Sequence, residues 1–379
     1  MLKTAQTTLT AGVIELGVGH PSLEMLPLNE MREAAAHRFA QADPSFLQYG
    51  AEWGDGHLRR ELAAFLARGY GLPVHESDLF ISGGVSQALG LICEMFTRPG
   101  DTVIVEDPTY FLALDIFRDH DLNVVPAPLD EQGLRLDVLT ELVARHRPRL
   151  VYTIPTHQNP TGTTLSAGRR EDLVRLAQAH DFLVVADEVY HLLTYGAPPP
   201  PAFSAHVGTG QVLSLGSFSK ILAPGTRLGW IHGHPERLDT LARNGVVASG
   251  GGFSPLGGGV IRSLLELGTL ESYLAGLRRT FGERAGVLCS ALDELRPLGV
   301  DFTRPGGGYF VWLTLPPGVQ SAELLPVAVE EGVRFQPGNR FSPAGTQGAH
   351  ARLCFAYYEP DELREGAARL GRALRRVLP

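Results

Sequence analysis

Four short apolar runs punctuate the middle of this chain, and each ends abruptly on polar residues: Thr102–Val105, Leu150–Ile154, Phe182–Ala186 and Val212–Leu215. All four are short and flanked by polar clusters, so each reads as a strand buried on both faces. Between the second and third, Arg169–His180 repeats Leu173, Leu176 and Ala177 at helical spacing, which predicts a crossover helix. Strands that alternate with such helices pair in parallel, so the fold class expected is α/β with a mostly parallel sheet. Ligands of open α/β sheets bind outside the carboxyl ends of the strands. The polar segments after the runs are Glu106–Tyr110, Thr156–Asn159, Asp187–Tyr190 and Ser217–Lys220. All four are therefore expected at one edge, in one site.

The chain has 379 residues, too many for one small core, and two packed units are expected. From about Ser254 the pattern changes to a long helical stretch, Arg262–Ala291, then glycine-bounded strands around Gly308–Trp312 and a helix from Pro360. We read residues 44–255 as a large domain and residues 256–379 as a small one, completed by residues 1–43. Pro198–Pro201 cannot be helix or central strand and is expected as an exposed loop of the large domain.

Composition bounds the partners. Hydrophobic residues at 44% and charged residues at 20% suit a soluble globular protein. With a net charge of −8 the chain offers no broad cationic surface for nucleic acid or anionic lipid, which leaves small molecules. Cys93, Cys289 and Cys354 lack the spacing of a zinc or redox motif and read as reduced core thiols, with no metal expected. Met1–Thr10 has neither the charge pattern of a secretory signal nor an apolar span, so a cytoplasmic location is expected.

Several residues suggest chemistry by type and position. Lys220 follows a strand among small and hydroxyl residues, where desolvation frees an amine to attack a carbonyl. Asp187 ends an apolar strand and would be an unpaired buried carboxylate unless a cation met it. Gly83 and Gly84, with Val85 and Ser86, precede the apolar stretch Ala88–Phe96, so backbone N–H groups there can face an anion from a helix N-terminus. Arg227 and Arg352 carry planar forks suited to phosphate or carboxylate.

The order and content of three stretches carry a family resemblance: His157–Gly162, Asp187–Tyr190, and Ser217–Lys220 with Pro224–Trp230. From about Glu15 onward the chain resembles fold-type I pyridoxal-phosphate aminotransferases of classes I and II, nearest the aminoadipate and kynurenine branch. Gly306–Trp312 and Pro337–Gly338 fit the same family. The resemblance implies a seven-stranded, mostly parallel sheet in the large domain and a smaller α/β domain. It implies pyridoxal 5'-phosphate bound to Lys220 as a Schiff base, with Asp187 on the pyridine nitrogen, Asn159 and Tyr190 on the phenolic oxygen and Tyr110 stacked on the ring. For the phosphate it implies Gly84, Val85, Ser86, Ser217, Ser219 and Arg227, although a serine is usual where Val85 stands. Arg352, with Gly19 and Asn159, would hold the substrate.

Tyr49 would reach the phosphate of a second subunit, which implies a homodimer with shared sites. Asp55 stands where a tyrosine is usual. The activity implied moves an amino group from an L-amino acid to a 2-oxo acid, by family habit 2-oxoglutarate, with ping-pong kinetics and Lys220 as general base. A Cβ-lyase is the alternative, because the same residues support elimination. Cofactor-binding transcription regulators share the fold, but their DNA-binding domain precedes it, and the short stretch before Glu15 does not suggest one. His20, Tyr49 and Trp53 suit an aromatic or long apolar substrate side chain. Asn159–Pro160 is expected to be cis, because a turn must present Asn159.

Overall fold

A computed structural model describes residues 9–378; most of the Met1–Thr10 stretch and the first residues of the N-terminal segment lie outside it. In chain order the first strands are β1 (Ile14–Glu15), β2 (Leu79–Ser82), β3 (Thr102–Asp107), β4 (Asn123–Asp130) and β5 (Gly133–Leu134). They are followed by β6 (Leu150–Thr153), β7 (Leu183–Asp187), β8 (Val212–Ser217) and β9 (Gly229–Gly233). The last are β10 (Asp301–Phe302), β11 (Phe310–Thr314), β12 (Val333–Arg334), β13 (Gln336–Pro337) and β14 (His350–Cys354).

The main sheet has the order β2-β9-β8-β7-β6-β3-β4-β5. Pairing is parallel from β8 through β4 and antiparallel at both ends, where β9 joins β8 and β2, and β5 joins β4. The sheet thus has eight strands where seven were expected. The extra one is the two-residue β5, which folds back on β4 after the turn at Glu131 and Gln132. Strands β3, β6, β7 and β8 coincide with the four apolar runs to within two residues, and the helix Ala167–His180 lies where a crossover was read.

Alternation along these strands sends Val105, Tyr152, Val185 and Leu213 into one apolar cluster and Ile104, Val151, Val184 and Val212 into another, one on each face of the sheet. Packing at the centre is close enough to limit side-chain size. A Cβ on Gly216 of β8 would meet the indole of Trp230, its partner on β9, at 2.1 Å. Gly216→Ala is therefore expected to destabilise the protein by about 1–3 kcal/mol. Urea unfolding would read this as a lowered midpoint; an unchanged midpoint would show that the indole has room to move.

A second sheet, β10-β11-β14-β13, is wholly antiparallel, and β1 pairs in parallel with β12 beside it. The helical stretch read as Arg262–Ala291 is two helices, Pro255–Glu266 and Thr269–Asp293. Gly268, with φ 67°, adopts the left-handed conformation that ends one and starts the next. The terminal helix runs Pro360–Val377, opened by a capping box between Glu359 and Glu362. Pro198–Pro201 lies outside helix and strand. The three cysteines are free and buried. Among the described residues no helix is long and apolar enough to cross a membrane.

Candidate active site

Residues beyond the carboxyl ends of β6 and β8 meet β14 and the N-terminal segment, where Arg352 bonds Asn159 and Gly17 and Lys220 bonds Gly19. Asp187 ends β7 with its carboxylate buried. Its Oδ2 accepts a hydrogen bond from Tyr152 Oη at 2.8 Å, while Oδ1 is buried with no partner. Burial pushes this carboxyl up to about 6, against the lowering effect of the Tyr152 hydrogen bond, the nearby Val189 N–H and the charge of Lys220.

Lys220 stands one turn beyond β8, in the short helix Phe218–Ile221. Burial pushes its ammonium down to about 8, and the charge of Arg352 acts in the same direction. Nζ donates to the Gly19 carbonyl at 2.8 Å and lies 5.2 Å from the ring centre of Tyr309, whose hydroxyl donates to the Lys220 carbonyl.

Arg352 of β14 is buried, and burial lowers its basicity to about 10. Nη1 donates to Asn159 Oδ1 and Nη2 to the Gly17 carbonyl, both at 3.0 Å, while Nε is buried without a partner. The rings of Phe310 and Phe341 face the guanidinium at 4.0 and 4.9 Å. No carboxylate meets this cation among the described residues, so it can accept an incoming one. Tyr190 is buried against Tyr309 and Phe310, and burial raises its hydroxyl well above the ordinary tyrosine range. Tyr110 follows β3; burial also raises its hydroxyl, which feels the charges of Asp187, Arg352 and Arg227. One electrostatic neighbourhood therefore holds Tyr110, Asp187, Lys220, Arg227 and Arg352. Asn159–Pro160 is cis, as the turn requires, and Asp107–Pro108 is cis as well.

The anion cradle lies at the start of the helix Val85–Phe96. Gly84 precedes it with φ 90°, a conformation side chains avoid, and a Cβ there would meet Arg227 Nη2 at 3.2 Å. Arg227 is exposed, and its guanidinium reaches the Gly83 and Pro224 carbonyls at 3.3 and 3.4 Å. Ser217 Oγ accepts from Ser219 N at 3.0 Å, while the Ser86 and Ser219 hydroxyls bond to no described residue.

Tyr49 is 81% exposed and touches none of these groups. Asp55 caps the helix Gly56–Tyr70 by accepting from Leu58 N at 2.6 Å. His20, next to Gly19, packs edge-on against Tyr357, and Trp53 lies under Arg59. Tyr152, Phe310, Phe341 and Arg340 were not singled out from the sequence. Only strand register reveals Tyr152, since Tyr152 pairs with Val185 and so shares the face of Asp187. Arg340 donates to Gln336 Oε1 at 2.7 Å, and Gln336 Nε2 points to the Gly17 carbonyl that also holds Arg352.

The residues fit a phosphorylated pyridine aldehyde. An unpartnered buried carboxylate oxygen awaits a ring cation, a cationic helix entrance awaits phosphate, and an amine of lowered basicity awaits the aldehyde. Comparisons with known proteins agree. The family described as aminotransferase class I and II matches residues 11–370. An aromatic-amino-acid aminotransferase of Thermococcus litoralis is 35% identical over 97% of this chain and 89% of its own. A 2-aminoadipate transaminase of Thermus thermophilus is 36% identical over 98% and 92%. A kynurenine aminotransferase of Pyrococcus horikoshii, solved in complex with PMP, superposes with a TM-score of 0.92 at 34% identity, covering 98% of this chain and 92% of that one. The chain belongs to the class I and II aminotransferases of fold type I, enzymes that use pyridoxal 5'-phosphate to move an amino group from an amino acid to a 2-oxo acid.

Proposed function

We propose that this aminotransferase works through Lys220, Asp187, Asn159, Tyr190 and Arg352, with 2-oxoglutarate as its amino acceptor. The observation that carries the reading is a pair of buried polar atoms without partners, Asp187 Oδ1 and Arg352 Nε, on two side chains whose charges both act on the Lys220 amine.

Asp187 would hold the protonated pyridine nitrogen, and Asn159 and Tyr190 would donate to the phenolic oxygen. Tyr110 would pack on the ring; Gly84, Val85, Ser86, Ser217, Ser219 and Arg227 would take the phosphate. When bound, the cofactor supplies an electron sink for the bonds at the substrate Cα. Arg352 fixes the α-carboxylate, with the Gly19 segment across from it, and so sets the Cα–H bond toward Lys220. Lys220 Nζ takes up the Cα proton as general base. Arg340 bonds Gln336, which shares the Gly17 carbonyl with Arg352, and its charge is felt at Arg352; this supports a substrate with a second carboxylate.

Arg352→Gln is expected to raise KM for the amino acid about 100-fold, from loss of a charge-assisted fork worth about 3 kcal/mol. Initial rates across donor concentrations would show it, and an unchanged KM would remove Arg352 from the substrate site.

The division into a large and a small domain is supported by the pairing of β1 with β12, which ties the N-terminal segment to the small one. A homodimer with shared sites is supported by the exposed apolar side chains Phe39, Leu47 and Tyr49 near the chain's start. The unpaired buried cysteines support a reducing, cytoplasmic setting.

The reaction is tested by adding single amino acids to the holoenzyme without an oxo acid and following the cofactor's absorption. Conversion to the pyridoxamine form with release of an oxo acid, followed by reversal with 2-oxoglutarate, is the expected result. Pyruvate accumulating while the spectrum persists would mean a lyase.

A further inference from the structure

Behind the cleft lies a second buried carboxylate. Glu106 is the penultimate residue of β3 and is 1% exposed. It receives hydrogen bonds from the Thr153 hydroxyl, from Ile154 N at 3.1 Å and from Gln158 Nε2 at 3.0 Å. No cation pairs with it among the described residues. Burial raises its basicity while these three donors hold it down. Continuing the strand register puts it beside Thr153, on the face of the sheet away from Asp187 and Tyr152, from where its charge still reaches both. An apolar residue would fill this space at lower electrostatic cost if only stability were served.

What Glu106 grips is Gln158, and Gln158 is fully engaged. Its Nε2 donates to Glu106 and also to the Pro108 carbonyl at 2.7 Å. Its Oε1 accepts from Thr161 N at 2.9 Å and from the Thr161 hydroxyl at 2.8 Å. The main chain of Gln158 closes the same loop, donating to Thr163 O at 2.9 Å and accepting from Gly162 N. One amide thus ties the loop before Tyr110 to the loop carrying Asn159, and Asn159 in turn holds Arg352.

We infer that Glu106 and Gln158 are positioning residues, a brace that sets Asn159 and Tyr110 relative to each other, so that losing it disturbs the cofactor and not only the fold. The inference rests on the reading of Asn159 and Tyr110 as cofactor contacts. Buried polar networks of this kind place groups precisely when every member is satisfied, and a partly satisfied one loosens.

The test uses holoenzyme and two readouts: the cofactor dissociation constant, and the pH midpoint of the absorbance change of the Lys220-bound cofactor. Asn159→Ala is the reference and is expected to shift the midpoint. Glu106→Leu and Gln158→Leu are each expected to shift it in the same direction and to weaken cofactor binding about tenfold or more. The double variant should be no worse than the poorer single one, because one brace is lost once. Glu106→Gln keeps all three contacts, its amide oxygen accepting from Ile154 N and Gln158 Nε2 and its nitrogen donating to the Thr153 hydroxyl, and should remain within about threefold of wild type.

Should the leucine variants fail to fold, Gln158→Glu carries the test. It preserves size but turns acceptors toward Glu106 and the Pro108 carbonyl, and is expected to give the same shift. Leucine or glutamate variants with wild-type midpoints and affinity would overturn the proposal, as would additive losses in the double variant or a Glu106→Gln as damaged as Glu106→Leu. An unshifted Asn159→Ala would instead defeat the underlying reading of the cofactor contacts.

Discussion

Lys220→Ala is expected to slow amino transfer by about 10⁴-fold or more, with the fold intact. The side chain makes one polar contact, to the Gly19 carbonyl at the cleft, so its removal leaves no buried group unpaired in the core. On the proposed reading, Asp187, the Val85–Phe96 helix entrance and Tyr110 remain to hold the cofactor without a covalent bond. What disappears is the proposed base. Half-reaction spectra of wild type and variant, mixed with the same amino acid, would measure the loss, and a variant within about tenfold of wild type would exclude Lys220 as the proton carrier. Small primary amines added to the variant should restore part of the rate, because they can enter the space the side chain leaves. Lys220→Arg should not, since a guanidinium stays protonated.

The lowered basicity of Lys220 has its own signature in cofactor capture. Only the free amine attacks an aldehyde. With a pKa of about 8, roughly one amine in ten is free at pH 7, against roughly one in three thousand at the ordinary value of 10.5. Capture by the apoprotein should therefore rise with pH and level off above about 8. A rate still climbing steeply at pH 10 would show an ordinary lysine.

The elements that were legible in the sequence are those whose signals are local. Strands β3, β6, β7 and β8 declared themselves as uninterrupted apolar runs because both faces of a central parallel strand are covered. Their polar ends then placed Tyr110, Asn159, Asp187 and Lys220 at one edge without any knowledge of tertiary contacts. The cis bond at Asn159–Pro160 was equally local. Other features depended on distance relations no local pattern records. The helical periodicity of Arg262–Ala291 continues across Gly268, so the break followed from a single left-handed residue and not from a change of pattern. β5 is two residues long and exists only because β4 lies beside it. Tyr152 read as one more apolar strand residue until register set its hydroxyl against Asp187. Arg340 gave no sign of its nearness to Arg352, which arises through Gln336 and the fold of β13 on β14.

Asp187→Asn should separate stability from function by moving them in opposite directions. In the cofactor-free protein the Asp187 carboxyl titrates at about 6 instead of the ordinary 3.8, because burial penalises its charge. Between these values the native state keeps a proton that the unfolded chain has released, so stability falls as pH rises from about 4 to about 6 and stays lower above. Asparagine cannot ionise and removes this loss. At pH 7 the apo variant is expected to be more stable than wild type by about 1–2 kcal/mol, after the cost of an amide N–H left unpaired where Oδ1 now lies. Near pH 4 the advantage should vanish. Urea unfolding of both apoproteins across this range would measure it, and parallel stability curves would show that the carboxylate is not strained by its burial. The holoenzymes should rank the other way, because asparagine offers no charge to hold a proton on the ring nitrogen. Amino transfer should fall by about 100-fold or more, and cofactor should stabilise wild type more than the variant. A carboxylate that weakens the empty protein and strengthens the loaded one is explained by a cationic partner at Oδ1, whereas a structural role would make Asp187→Asn harmful in both states.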